Sequence, residues 1–219
     1  VRDEKSSEFL QNSKFKNTFA RGTDLAFLTE YWLPSLPVKD KVTSPHKIGI
    51  ILIDWHTGND TFLRNIAQVC RNLENKGFEV NFISFQEHYD IKFRAFFKDQ
   101  VQSWQPEKTS LYDFLNVIQQ QDILITSRAH GAIIGGCLRV PSICLGITLK
   151  LEEVSRMFNM SSILIHKPFK PEDIIKAVQS MCNSYEEYLD GLKQDIENNK
   201  NLADKSLEEF LKVTKELVE

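Results

Sequence analysis

With 219 residues, 42% hydrophobic and 26% charged, the chain is long enough for one large or two small domains with a real core, and it reads as an ordinary soluble globular protein. A net charge of −3 argues against nucleic acid or acidic lipid as the main partner. No apolar run approaches the roughly 18 residues that cross a bilayer, and neither a secretory signal nor an integral membrane segment is visible. Cys70, Cys137, Cys144 and Cys182 lie in or beside apolar runs with no CxxC pairing, so buried reduced thiols in a cytosolic protein are the expectation, ahead of zinc.

The chain opens at Val1 on what reads as the end of a strand running into Arg2-Asp3, as expected of a piece of a longer protein. Ser6 to Leu10 has the pattern of a short amphipathic helix and Gln11 to Asn17 that of a loop. Asp24 precedes the apolar Leu25 to Leu28. Pro34, Pro37, the charged Lys39-Asp-Lys41 and Ser44-Pro45 then mark a linker. Regular alternation follows. Lys47 to Ile53 is a continuous apolar strand of the kind buried on both faces. A polar loop, Asp54 to Asp60, leads to a helix with Phe62, Ile66, Val69, Cys70 and Leu73 on one stripe, closed by Gly77. Val80 to Phe85 predicts the next strand, and Tyr89 to Val101 a helix with Phe93, Phe96 and Phe97 inward. Ser110 and Asp113 form a capping-box variant at the start of another helix.

Ile123 to Ile125 is too short for a helix and β-branched enough for a buried strand. Thr126, Ser127, Arg128, His130 and Gly131 follow, then small residues that start a helix packed close to a sheet. Val140 to Gly146, Leu151 to Phe158, Ser162 to Ile165 and the helix opened by Pro171 continue the alternation. From Tyr185 onward the chain reads as polar helix in two segments, the second capped by Ser206 and Glu209. Strand and helix alternating about five times predict a doubly wound parallel sheet, Rossmann-like in class.

In such a sheet the turn after Ile125 lies at the carboxyl edge, where ligands collect. A helix N-terminus there favours anions, Arg128 adds a planar fork suited to carboxylate or phosphate, and His130 adds a group that moves protons near neutral pH. The turn therefore reads as a small-anion site with an acid/base attached. Each residue also has a structural alternative. Arg128 can serve to bridge a neighbouring loop, and His130 can be a satisfied buried histidine. Thr126 and Ser127 can cap the helix, Asp24 and Asp90 can be turn or cap residues, and Lys150 can be a solvated lysine at a helix start. His88 and His56 follow strands at the same edge.

Ser127-Arg128-Ala129-His130-Gly131 resembles the Ser-Arg-Leu-His-Gly signature of the polysaccharide pyruvyl transferase family, and Gly136-Cys-Leu-Arg-Val-Pro141 resembles its continuation. Val1-Arg-Asp-Glu-Lys-Ser6 looks like the family's Val-Arg-Asp-x-x-Ser element, and Thr23-Asp-Leu-Ala-Phe-Leu28 like its Pro-Asp-x-Ala-Phe element. The resemblance runs from the first residue to about Ser180. Ala129 stands where the family has leucine, and Thr148 where it has an acid before Lys150.

The resemblance implies a two-domain fold similar to GT-B glycosyltransferases, of which this chain is the C-terminal half. Residues 1–45 would be the end of the N-terminal domain and a linker, 46–183 the Rossmann-like domain with the signature, and 184–219 C-terminal helices. It also implies transfer of pyruvate from phosphoenolpyruvate to a sugar of a cell-surface polysaccharide as a ketal, in the cytoplasm. That chemistry needs no metal and no nucleotide cofactor, and it allows peripheral association with membrane-bound glycan precursors. His130 and Arg128 would be catalytic, and Arg2, Ser127, Gly131, Lys150 and His88 would bind substrate. Two other functions fit the same residues: a GT-B-like glycosyltransferase using a nucleotide sugar, and a non-catalytic module that binds glycan or anion.

Overall fold

The computed structural model describes residues 4–13, 22–33, 44–54 and 60–216. The readings at Arg2, at Pro34 and Pro37, and at His56 fall outside these residues. Helix α1 (Glu4–Asn12) and two 3-10 turns (Leu25–Phe27 and Thr29–Tyr31) precede the sheet. Then follow β1 (Lys47–Ile51), α2 (Asp60–Glu74), β2 (Glu79–Ser84), α3 (Ile91–Phe97), β3 (Val101–Ser103), α4 (Leu111–Gln119) and β4 (Ile123–Thr126). The chain continues with α5 (Ala129–Cys137), β5 (Ser142–Gly146), α6 (Leu149–Met157), β6 (Ser162–His166), α7 (Pro171–Asn183) and α8 (Tyr185–Glu216).

The six strands pair in parallel in the order β3-β2-β1-β4-β5-β6. Period-two alternation sends successive side chains to opposite faces. Ile48, Ile50, Ile123 and Ile125 accordingly join a core under α2 and α7, whereas Ile51 and Leu124 pack with Phe114, Leu115 and Ile118 of α4 on the other side. Leu63, Ile66, Val69 and Leu73 of α2 are at most 1% exposed, and burying each such side chain contributes about 1.5–3 kcal/mol. A third cluster joins α5 and α6 to α8 through Ala132, Ile133, Val154, Phe158, Leu192 and Ala203, with Phe27 of the first 3-10 turn inserted among them.

Local chemistry sets the ends of the elements. Ser110 accepts from the Asp113 N–H at 3.1 Å and donates to the Asp113 carboxylate at 2.6 Å, which starts α4. Gly77 takes φ +88° after α2, a conformation that L side chains resist. Oδ2 of Asp122 accepts from the N–H groups of His46 and Lys47, each at 2.8 Å, and pins the amino ends of β1 and β4 together.

Three expectations need correction. The helix predicted over Tyr89 to Val101 is only α3, because the chain turns out of it at Lys98 (φ 48°) and pairs Val101 with Phe82 as a sixth strand. Phe96 consequently stands 38% exposed instead of packing inward with Phe93 and Phe97. The C-terminal stretch is one helix of 32 residues, not two, and Ser206 bonds back to the Leu202 carbonyl at 2.7 Å inside it instead of capping a new start. Its continuity rests on an inward face, with Leu192 at 2% and Ala203 at 0% exposure.

Candidate functional site

The strand order reverses between β1 and β4, and in open parallel sheets the crevice outside the carboxyl ends at that point receives ligands. The segment Thr126 to Gly131 leaves β4 there and enters α5. Two latches shape it. The Thr126 hydroxyl accepts from the Arg128 N–H and donates to the Arg128 carbonyl, both at 3.0 Å. The Ser127 hydroxyl accepts from the Ile53 N–H at 2.9 Å, while the Ser127 N–H donates to the Ile51 carbonyl at 2.9 Å. Ser127 is thus buried at 2% exposure and ties the turn to the end of β1. The capping reading of Ser127 is replaced by this cross-strand bond, and Arg128 occupies the N-cap position of α5 with no side-chain cap.

Arg128 is 11% exposed and its fork is engaged: NH2 donates to Asp90 Oδ1 at 2.6 Å and NH1 to Gln86 Oε1 at 2.9 Å. Its Cζ lies 6.0 Å from the centroid of the Phe85 ring, and its Nε is buried without a hydrogen-bond partner. Asp90, fully buried, also accepts from the Ser84 hydroxyl at 2.8 Å and the Gln86 N–H at 3.2 Å. The predicted cap by Asp90 is therefore not formed by its side chain. Asp54, three residues beyond β1, supplies that cap by accepting from the N–H groups of Lys92 and Phe93.

His130, in the first turn of α5, is 46% exposed, and its Nε2 stands 3.6 Å from Oδ2 of Asp24, itself 13% exposed. Oδ1 of Asp24 accepts from the Ala26 N–H at 3.1 Å and so caps the first 3-10 turn. Burial, and after it the charge of Asp24, push the neighbouring Cys137 thiol up to about 12. Gly131 is buried, and a Cβ there would stand 2.5 Å from the Thr126 hydroxyl. Its N–H donates to the Arg128 carbonyl at 3.0 Å, as does that of Ala132 at 3.3 Å. These two N–H groups are thus used within the helix, and Gly131 packs closely against the turn.

Lys150 is exposed in the first turn of α6, beyond β5, and His88 is exposed in the loop beyond β2. With strands about 4.8 Å apart, Lys150 follows the strand next to β4 and His88 one about 10 Å away. Thr148, the departure from the family pattern, caps α6 by accepting from the Leu151 N–H at 3.3 Å. Ala129, the other departure, is buried in the cluster that holds Phe27 and Leu28. From sequence, Asp24 reads as a turn or cap residue, and Asp90 as a helix cap at the edge where a ligand would sit. Their partners, His130 and Arg128, lie far off in the chain, and local pattern carries no signal for either pair.

Among the described residues no group of three or more His, Cys, Asp or Glu is placed to hold a metal ion, and no helix is long and apolar enough to cross a membrane.

This sheet order, with its site at the switch point, defines one Rossmann-like half of a GT-B-type fold. The solved structures it resembles bear this out. S. aureus MnaA in a co-structure with UDP superposes with a TM-score of 0.64 at 13% identity, over 97% of this chain and 57% of that one. The Methanocaldococcus jannaschii UDP-GlcNAc 2-epimerase gives 0.57 at 16% identity, over 82% and 52%. The spinosyn rhamnosyltransferase SpnG gives 0.54 at 14% identity, over 87% and 50%. The chain spans about half the length of these proteins, and at such identities the likeness is one of fold. No curated protein matches the sequence. Residues 1–148 match the polysaccharide pyruvyl transferase family, and the chain belongs to that family.

Proposed function

We propose that this chain carries the acid/base half of a site that moves pyruvate from phosphoenolpyruvate onto a sugar of a cell-surface polysaccharide. The observation that carries the reading is the half-exposed His130 at the open N-terminus of α5, with a carboxylate behind its ring. Protonated His130 gives a proton to the methylene carbon of phosphoenolpyruvate, whose double-bond electrons take it up. A sugar hydroxyl attacks the oxocarbenium carbon so formed and returns its proton to His130. The carbon–oxygen bond to phosphate then breaks, a second hydroxyl closes the ketal, and its proton leaves with the phosphate. No electron acceptor is needed, and the charges balance.

The phosphate and carboxylate of the substrate need fixed donors. The first turn of α5 offers one set, ahead of the Gly131 and Ala132 N–H groups that the helix already uses. Arg128 offers another once Gln86, which is exposed, yields NH1 to the ligand, while Asp90 keeps hold of NH2 and fixes the plane of the fork. In this reading Lys150, Arg2 and His88 are further substrate contacts. The reaction belongs in the cytoplasm, with peripheral contact to membrane-bound precursors.

The test is a thermal-shift titration of the chain with phosphoenolpyruvate and, separately, with UDP-sugars. Ligand at 100 times its dissociation constant should stabilise the fold by about 2.7 kcal/mol. In a phosphate-release assay with a glycan acceptor, His130→Ala should cost roughly 10²–10⁴-fold in turnover with an unaltered fold. A shift with UDP-sugar alone would replace this reading by glycosyl transfer. Binding of neither ligand, with no phosphate release, would sink it in favour of a non-catalytic module.

A further inference from the structure

The geometry points to Asp24 as a positioning residue that holds His130 in its Nε2–H tautomer, which leaves Nδ1 as the nitrogen that exchanges the proton of the reaction. The inference deepens the acid/base reading above and rests on it for the catalytic consequence, though not for the tautomer itself.

The two carboxylate oxygens of Asp24 do different things. Oδ1 accepts from the Ala26 N–H at 3.1 Å, which fixes the side chain as the cap of the 3-10 turn Leu25–Phe27. Oδ2 is thereby aimed at Nε2 of His130, 3.6 Å away. A carboxylate only accepts, so it selects the ring form that carries its proton on the nitrogen facing it. At 3.6 Å the pair closes to a hydrogen bond with a movement of a few tenths of an ångström, the kind of tightening that accompanies substrate binding at general acid/base sites.

What distinguishes this carboxylate from an incidental neighbour is how firmly its backbone is held. Phe27 is fully buried and meets Phe158 with ring centroids 5.7 Å apart. The Ala26 carbonyl accepts from Trp32 Nε1 at 2.9 Å and from Cys137 Sγ, in α5 itself, at 3.7 Å. Thr23, immediately before Asp24, donates to Asn199 of α8 at 3.3 Å. The segment is thus fastened to α5, α6 and α8, and it sets the Asp24 carboxylate beside the His130 imidazole. His130 sits on a helix whose glycines press it against the sheet, so neither partner drifts. The ring remains 46% exposed, which leaves it open to a substrate.

Two variants separate positioning from folding. Asp24→Ser keeps an oxygen to cap the 3-10 turn but withdraws the carboxylate from the ring. Asp24→Asn keeps the cap through its amide oxygen and turns an N–H donor toward Nε2, which should invert the tautomer. The measurement is the ¹⁵N shifts of the His130 imidazole nitrogens in the whole chain, at a pH above the ordinary imidazole range. The wild type should show Nε2–H, the serine variant a mixture, and the asparagine variant Nδ1–H, with thermal midpoints close to one another. The same tautomer in all three would overturn the proposal, as would Nδ1–H in the wild type. Where phosphoenolpyruvate turnover is measured, Asp24→Ser should lower kcat at least about tenfold while KM is held, against roughly 10²–10⁴-fold for loss of His130. Absence of turnover in the wild type would count against pyruvyl transfer and leave the tautomer result to decide the role of Asp24.

Discussion

Arg128 reaches across from the turn after β4 and donates through NH2 to Oδ1 of Asp90, in the loop after β2, at 2.6 Å. The carboxylate is fully buried and the guanidinium 11% exposed, so this is a pair within the protein and not a surface contact. Removing one partner of such a pair leaves a charge buried without its counter-ion, at a cost of about 3–5 kcal/mol. Asp90→Ala should therefore lower the urea midpoint strongly. The double variant Asp90→Ala with Arg128→Ala should cost less than the sum of the two single changes, because neither charge is then stranded. Strict additivity would show that the two side chains do not depend on each other.

The glycines of α5 set a second test. A Cβ on Gly136 would lie 2.5 Å and 2.7 Å from two atoms of the Phe158 ring, and Phe158 is only 1% exposed, so the ring has nowhere to go. One on Gly131 would crowd the Thr126 hydroxyl that shapes the turn. Gly131→Ala and Gly136→Ala should each destabilise by about 1–3 kcal/mol, as overpacking does. Gly77→Ala is the control: its Cβ meets nothing within 4 Å, and its cost is the backbone strain of φ +88°, about 1–2 kcal/mol. Denaturation curves with unchanged slopes check all three. A Gly136→Ala protein as stable as the parent would mean that α5 is free to move away from α6.

How much of this was legible follows from which interactions are local. The strands after Pro45 and the helices between them announce themselves by period, and Ser110, Gly77 and Pro171 punctuate them where the structure does. The site turn was legible because Thr126 to Gly131 concentrates chemistry between a strand pattern and a helix pattern. Strand β3 was not, since Val101 to Ser103 has no flanking glycine or proline and is made a strand by its pairing with β2. Nor were the partners of Arg128 and His130, because contacts across 38 and 106 residues of chain follow from the sheet order and leave no periodic trace. The continuity of α8 escaped for a related reason: Ser206 looks like a cap in sequence, and only packing onto α5 and the first 3-10 turn makes it mid-helix.

Thiol chemistry offers a third check. Burial pushes Cys70 and Cys137 up to about 12 and Cys144 to about 11, with the charges of Glu74 and Asp24 adding to it at the first two. The reactive species is the thiolate, so at pH 8 these three should resist iodoacetamide in the native protein. Cys182, raised by burial and then by the charge of Asp122 but only partly enclosed, should label first. In urea all four should react at the rate of an unfolded thiol. Rapid native labelling of Cys137 would mean that α5 and the 3-10 turn over it open readily, which would also undercut the fixed placement of Asp24.

Asp195 of α8 makes stability depend on pH in the opposite sense from a salt-bridged acid. Its carboxylate accepts from the Ser161 hydroxyl at 2.6 Å and the Met160 N–H at 3.2 Å, yet burial outweighs these bonds and raises its pKa above the ordinary 3.8. A carboxyl whose folded pKa is raised binds its proton more tightly in the native state than in the unfolded one. Its contribution to stability is therefore full at low pH and falls as pH climbs from about 3.8 through the raised folded value. Asp195→Asn keeps an oxygen for both donors and removes the ionisation. Urea titrations across pH 3 to 8 should find the variant gaining on the wild type through that window and holding the gain at neutral pH. Should the wild type instead gain on the variant as pH rises, the bonds from Ser161 and Met160 outweigh burial, and the ionised carboxylate is what fastens α8 to the loop before β6.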